Sequence, residues 1–127
     1  MSIFGIGTDI VHIERIKKSL KNRNFIKRVF NAKEIKKCNK ISNNKNCYAK
    51  RFAAKEAFSK ALGTGISNGI NLNEIIILNK KSGLPYISIT GQTKKIIKKK
   101  FKGKKSKFSL SLSDEKNYAV AFVTISV

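Results

Sequence analysis

The stretch AKRFAAKEAFSKALG, Ala49 to Gly63, constrains this chain more than any other. It reads as the longest helix, from about Cys47 to Leu62, and much of its surface is alanine. At about 100° per residue, Ala54, Ala57, Phe58, Ala61 and Leu62 share one side, the expected core face. Ala49, Phe52, Ala53, Ser59 and Lys60 fall with Glu56 on the other. Small side chains around a carboxylate leave room for a ligand or another chain to approach. Gly63 is the expected C-cap, and GTGISNGIN follows as a loop.

Glu56 draws attention because carboxylates are scarce. Only 7 Asp and Glu accompany 28 Lys and Arg, for a formal net charge of +21. An i,i+4 pair with Lys60 on a solvated face, worth ~0.3–0.5 kcal/mol, is the simplest account. A second scarce carboxylate, Asp9 in the Gly-rich GIGTD, favours another. Two carboxylates on different elements bind Mg²⁺ well when substrate phosphates and water complete its shell of oxygens. Arg51, Lys55 and Lys60 then suit the remaining phosphate charge. A phosphate-binding loop is disfavoured. The GTG after the helix lies at the negative end of its dipole, GxxxxGK[ST] is absent, and GIGTDI lacks the third glycine of GxGxxG. Gly5 and Gly7 are better suited to close packing beside the site.

The remaining elements follow from pattern. IFGIGTD reads as a strand giving way to a helix at Asp9. IVHIERIKKSL, FIKRVF and NAKEIKKC read as three short helices, the last opened by an Asn31–Glu34 capping box. NEIIIL and PYISIT form a hairpin around KKSGLP, GQTKKIIKKKF is a basic helix, and KFSLSLS and YAVAFVTISV form a second hairpin. The order β-α-α-α-β-β-α-β-β argues for an α+β fold with an antiparallel sheet packed with helices, as one domain over 1–127. No apolar run is long enough to span a bilayer, and MSIFGIGTDI is not a secretory signal. Cys38 and Cys47, without a CxxC or a neighbouring His, are expected to be free thiols in a reducing cytoplasm. The charge fits nucleic acid, anionic lipid or an acidic protein, and an AT-rich genome also enriches Lys, Asn and Ile.

GIGTDIVHIERI, RFAAKEAFSKALGTGI, SGLPYISITG and SLSDEKNYAVAFV, in that order along the whole chain, resemble the holo-acyl-carrier-protein synthases, small bacterial 4′-phosphopantetheinyl transferases. The resemblance implies a Mg²⁺-dependent reaction used in fatty acid biosynthesis. Coenzyme A gives its 4′-phosphopantetheine arm to a serine of apo-acyl carrier protein, and adenosine 3′,5′-bisphosphate leaves. Asp9 and Glu56 are implied as metal ligands, and Glu56 and Lys60 as catalytic residues. Arg51, Lys55, Lys60 and Gly63 are implied coenzyme contacts. Ser111 and Ser113 lie in the last hairpin, which a neighbouring subunit contributes to sites at the boundaries of a homotrimer. Arg15, Lys18 and Lys21 are implied to dock the acidic carrier protein through the first helix. Glu56, or a metal-bound water next to it, could supply the proton acceptor. Two positions depart from the family pattern: His12, where an acidic residue is common, and Asp114, where many members have His.

Two readings compete. A basic nucleic-acid-binding domain would use GQTKKIIKKKFKGKK, but aromatic residues are sparse there and no recognition motif is present. It also leaves Asp9 and Glu56 unexplained. An inactive trimeric scaffold is disfavoured by the retention of Asp9, Glu56 and Lys60.

Overall fold

The computed structural model describes residues 1–64 and 69–127. Strand β1 (Ile3–His12) is followed by α1 (Ile13–Ser19), α2 (Arg23–Val29), α3 (Ala32–Cys38) and the long α4 (Lys45–Leu62). A 3-10 turn (Leu72–Glu74) leads into β2 (Ile75–Asn79) and β3 (Pro85–Ile89), then α5 (Gly91–Lys100), β4 (Lys107–Asp114) and β5 (Tyr118–Ser126). This is the expected α+β order. The strands divide into two antiparallel sheets instead of one: β1-β5-β4 and the β2-β3 hairpin. Part of the expected GTGISNGIN loop, residues 65–68, lies outside the described residues.

β1 pairs with β5 from Ile3 opposite Ser126 to His12 opposite Tyr118. The strand therefore runs past Asp9, which sits opposite Ala121 and not at the strand's end as its glycine-rich context suggested. One face of β1 is laid against α4. A Cβ at Gly5 would stand 1.9 Å from the Ala61 carbonyl oxygen, and one at Gly7 1.8 Å from that of Ala57. Strand backbone thus rests directly on helix backbone, a contact that a side chain at either glycine would block.

α4 is covered on nearly every side. Ala49, Ala53, Ala54, Ala57, Phe58, Ser59, Ala61 and Leu62 are all buried. The open face expected around Glu56 shrinks to a stripe of Phe52, Glu56 and Lys60, because the rest of the chain fills the space beside Ala49, Ala53 and Ser59. Phe58, Leu62, Ile75, Ile77, Val123 and Ile125 meet in the core, each burial contributing about 1.5–3 kcal/mol. Gly63 ends α4 with φ +82°, and its N–H donates to Lys60 O at 3.0 Å.

A buried ion pair joins the helices to the second sheet. Lys55 Nζ donates to Glu34 Oε1 at 2.6 Å, and both side chains are fully buried. Lys55 also donates to the carbonyls of Leu72 (2.9 Å) and Ile75. Glu34 closes the capping box by accepting from Asn31 N at 2.9 Å, and its other oxygen accepts from Ile77 N at 3.0 Å. Burial pushes the Lys55 pKa down to about 8, against the attraction of Glu34.

Cys38 and Cys47 are not free thiols: they form a disulfide. The sequence separation concealed this. Cys38 ends α3 and Cys47 lies in the first turn of α4, and the reversal between these helices sets their Cα atoms 5.6 Å apart.

Glu34→Gln strands a buried ammonium, so it is expected to cost about 3–5 kcal/mol in denaturant unfolding. Adding Lys55→Met should return at least half of that loss. A double variant no more stable than Glu34→Gln would show that the charge is not what the carboxylate serves.

Candidate active site

The face of β1 that carries Gly5 and Gly7 carries Asp9 next. One helical turn beyond Glu56, Lys60 reaches back to the strand: its Nζ donates to Asp9 Oδ1 at 3.1 Å and to Thr8 O at 3.0 Å. Asp9 is largely covered, at 16% side-chain exposure, whereas Lys60 is 54% exposed. Glu56 is partly buried close to both. Burial and the Asp9 charge push its pKa above the usual carboxylate value, and Lys60 offsets this only in part. The close approach of β1 to α4 has therefore collected two carboxylates and one ammonium. The carboxylates repel each other, and Lys60 does not cancel the effect.

A divalent cation fits this donor set. Asp9 and Glu56 offer hard oxygens whose like charge Lys60 relieves only in part, the environment that a cation neutralises. No cluster of three or more His, Cys, Asp and Glu capable of holding a metal occurs among the described residues, so oxygens from substrate or water would complete the shell. Glu56 also lines a cleft of about 440 Å³ walled by Phe25, Val29, Phe52, Ile70 and Leu72, with Arg28 at its edge.

Arg51, on the same helix, serves a different pocket. About 490 Å³ in volume, it is lined by Arg51, Lys37, Lys50, Lys80, Lys81 and Cys47 among others, and shares no lining residue with the Glu56 cleft. Arg51 is 4% exposed. It donates to Cys47 O and Sγ, both at 3.2 Å, and to Asn79 Oδ1 at 2.8 Å, while its buried Nε has no partner. Burial, with repulsion from Arg51, Lys40 and Lys50, holds the Lys37 pKa below its usual value. Four lysines around a buried guanidinium whose Nε has no partner give this pocket a positive lining suited to an anion.

Lys55 does not belong to either pocket. It was expected beside phosphate, but its three donors go to Glu34, Leu72 and Ile75 in the core, and it is fully buried. The sequence showed a lysine beside Glu56, yet adjacent residues on a helix point in different directions. Gly63 is exposed at the end of α4. Ser111 and Ser113 are exposed on the outer face of β4, opposite Phe122 and Val120. Arg15, Lys18 and Lys21 are exposed, the last just beyond α1, and none is in an ion pair among the described residues. His12 stacks edge-on against Tyr118 with ring centroids 5.3 Å apart. Asp114 accepts from Asn46 at 2.7 Å and lies 3.6 Å from Lys50, at the rim of the Arg51 pocket. Sequence reasoning missed Asn79, Lys80 and Lys81 of this pocket; the two lysines open the turn KKSGLP and Asn79 ends the strand before it.

Residues 5–123 match the family described as the 4′-phosphopantetheinyl transferase superfamily, and the chain belongs to it. Within that family it is similar to holo-acyl-carrier-protein synthases. That of Pelagibacter ubique (strain HTCC1062) is 55% identical over 125 residues, covering 98% of both chains. That of Ehrlichia canis (strain Jake) is 44% identical over 128 residues, covering 97% of this chain and 94% of the other. Among solved structures, the synthase from Neisseria meningitidis superposes with a TM-score of 0.86 at 36% identity, covering 98% of this chain and 99% of that one. The Helicobacter pylori synthase in complex with coenzyme A gives 0.80 at 31% identity, with 95% and 99% covered.

The raised Glu56 pKa carries a sign for stability. The fold favours the protonated acid, so ionised Glu56 lowers stability above pH 4.5, and the cost fades as pH falls through the raised value. Glu56→Gln is expected to raise the thermal midpoint at pH 7 by about 1–2 °C. Its lead over the parent should shrink toward pH 4.5. A variant less stable than the parent at pH 7 would contradict this electrostatic account.

Proposed function

We propose that residues 1–127 act as a single transferase domain in which Asp9, Glu56 and Lys60 form the reacting centre. The activity is transfer of 4′-phosphopantetheine from coenzyme A to a serine of apo-acyl carrier protein. The observation that carries the assignment of residues is the convergence of Asp9, Glu56 and Lys60 where β1 lies on α4.

Asp9 and Glu56 would hold Mg²⁺, which supplies positive charge against the diphosphate oxygens when bound. Lys60, more than half exposed, turns from Asp9 toward phosphate and balances the charge that develops on the leaving group. The serine hydroxyl proton passes to a Glu56 carboxylate oxygen, directly or through one water. The nucleophile belongs to the carrier protein, so no Ser or Cys of this chain is required to form a covalent intermediate. Arg51 and the lysines around it hold the remaining phosphate charge of the coenzyme, with Gly63, Ser111 and Ser113 as further contacts.

The Asp9 centre and the Arg51 pocket open separately on one chain, which favours sites shared between subunits of a homotrimer. The outer face of the β1-β5-β4 sheet is suited to such assembly: Ile6 (57%), Ile10 (62%), Tyr118 (43%) and Phe122 (44%) are all exposed there. Arg15, Lys18 and Lys21 form the docking surface for the acidic carrier. The enzyme works in the cytoplasm, in fatty acid biosynthesis. No helix among the described residues is long and apolar enough to cross a membrane.

The test mixes protein, coenzyme A, Mg²⁺ and apo-acyl carrier protein and follows the mass gain of one phosphopantetheine on the carrier. Asp9→Asn and Glu56→Gln are each expected to lower turnover by about 10²-fold or more while remaining folded. Near-parental rates in either would remove that residue from the centre. Arg15→Glu should lower kcat/KM for the carrier by about tenfold and leave KM for coenzyme A unchanged, and added salt should mimic it. A salt-independent rate would exclude electrostatic docking.

A further inference from the structure

We infer that Cys38 and Cys47 form a reversible thiol–disulfide site that sets how strongly Arg51 holds an anion in the adjacent pocket. The consequence for coenzyme binding rests on reading that pocket as the coenzyme's phosphate site. The bond itself and its contact with Arg51 do not depend on that reading.

Three observations converge. First, the bond links the end of α3 to the first turn of α4, and both helices contribute to the pocket wall, through Lys37 and through Cys47, Lys50 and Arg51. Second, the two cysteines differ in access. Cys38 is fully buried, whereas Cys47 is 8% exposed and lines the pocket. Third, Arg51 Nη1 lies 3.2 Å from Cys47 Sγ. In the disulfide that sulfur is a weak, neutral acceptor, and the Arg51 charge is left for an incoming anion at the pocket wall.

Reduction changes this balance. A dithiol reductant enters through the pocket, and its thiolate attacks Cys47 Sγ. Cys38 leaves as the thiolate and takes up a proton, giving a mixed disulfide on Cys47. The reductant's second thiol loses its proton and attacks its own sulfur in that mixed disulfide, releasing Cys47. Two electrons pass to the protein, and the reductant is oxidised to its own disulfide. The released Cys47 sulfur stands in the first turn of a helix and beside a guanidinium, two features that favour its thiolate. A thiolate at that distance pairs with Arg51 and competes with phosphate for it. Oxidation therefore opens the pocket to anions and reduction partly fills it with the protein's own negative charge.

The intact protein is equilibrated with reduced or oxidised dithiothreitol, quenched in acid, unfolded and alkylated, and the added mass is read. The oxidised sample should carry no alkyl group, and the reduced sample one on each of Cys38 and Cys47. The same two forms are titrated with adenosine 3′,5′-bisphosphate, chosen because it has no thiol of its own. Reduction should raise its Kd by about three- to tenfold, the effect of a charged competitor on one charge-assisted contact. Cys47→Ser should bind like the oxidised form in either buffer. Cys38→Ser, which keeps the Cys47 thiol and cannot form the bond, should bind like the reduced form in either buffer. Two alkylatable thiols under both conditions would overturn the inference. So would an unchanged Kd, or equal weakening by both serine variants, which would point to loss of a clamp and not to a thiolate. Failure to transfer phosphopantetheine in either form would count against the proposed function alone, because the alkylation and the titration do not use turnover.

Discussion

The contact between two glycines of β1 and two alanines of α4 is the constraint from which the site follows. Gly5 and Gly7 have no side chain to hold the strand off the helix, and Ala57 and Ala61 present almost none in return. Helix and strand backbones meet at a separation that any larger residue would forbid. Asp9, the next residue on that face of the strand, is thereby delivered to Lys60 and Glu56. The acid pair is a product of packing. Burial first and then repulsion within the pair raise the Glu56 pKa, and the pair is held because the surrounding contacts are made by groups with no freedom to retreat.

The same helix manages its charges in opposite ways at consecutive positions. Lys55 is desolvated, which alone would cost several kcal/mol, and the cost is met by a carboxylate and two carbonyls in close range. Glu56, one residue on, is left partly exposed and short of positive partners. The first arrangement fixes α3, the 3-10 turn and β2 onto α4. The second leaves a charge in need of neutralising. Structure and chemistry are thus carried on different faces of one element.

Much of this was legible in the sequence wherever the signal was local. The Asn31–Glu34 capping box, the left-handed stop at Gly63 and both hairpins depend on residues a few positions apart, and all appear as read. That Asp9 and Glu56 come close was legible for a different reason: in a chain so poor in acids, each one invites a question. What failed was non-local. Lys55 looked like a phosphate ligand because its carboxylate partner is 21 residues away. The disulfide was hidden by the reversal between α3 and α4. Asp9 was placed at a strand's end because its glycines suggested a break, whereas the ladder to β5, more than 100 positions away, carries the strand on to His12. The helix faces were misjudged because an amphipathic reading assumes one wet side, and α4 is enclosed on nearly all of them.

The ion pairs have a consequence for how the protein responds to ionic strength. Asp9, Glu14, Glu34 and Asp114 are each engaged by a lysine, so much of the small stock of negative charge is spent internally. The unbalanced lysines of one copy therefore repel those of the next. Electrolyte relaxes that repulsion and, by the same screening, weakens attraction to an acidic protein. An assembly of copies and the docking of an acidic carrier, as proposed above, would therefore ask for opposite solvent conditions.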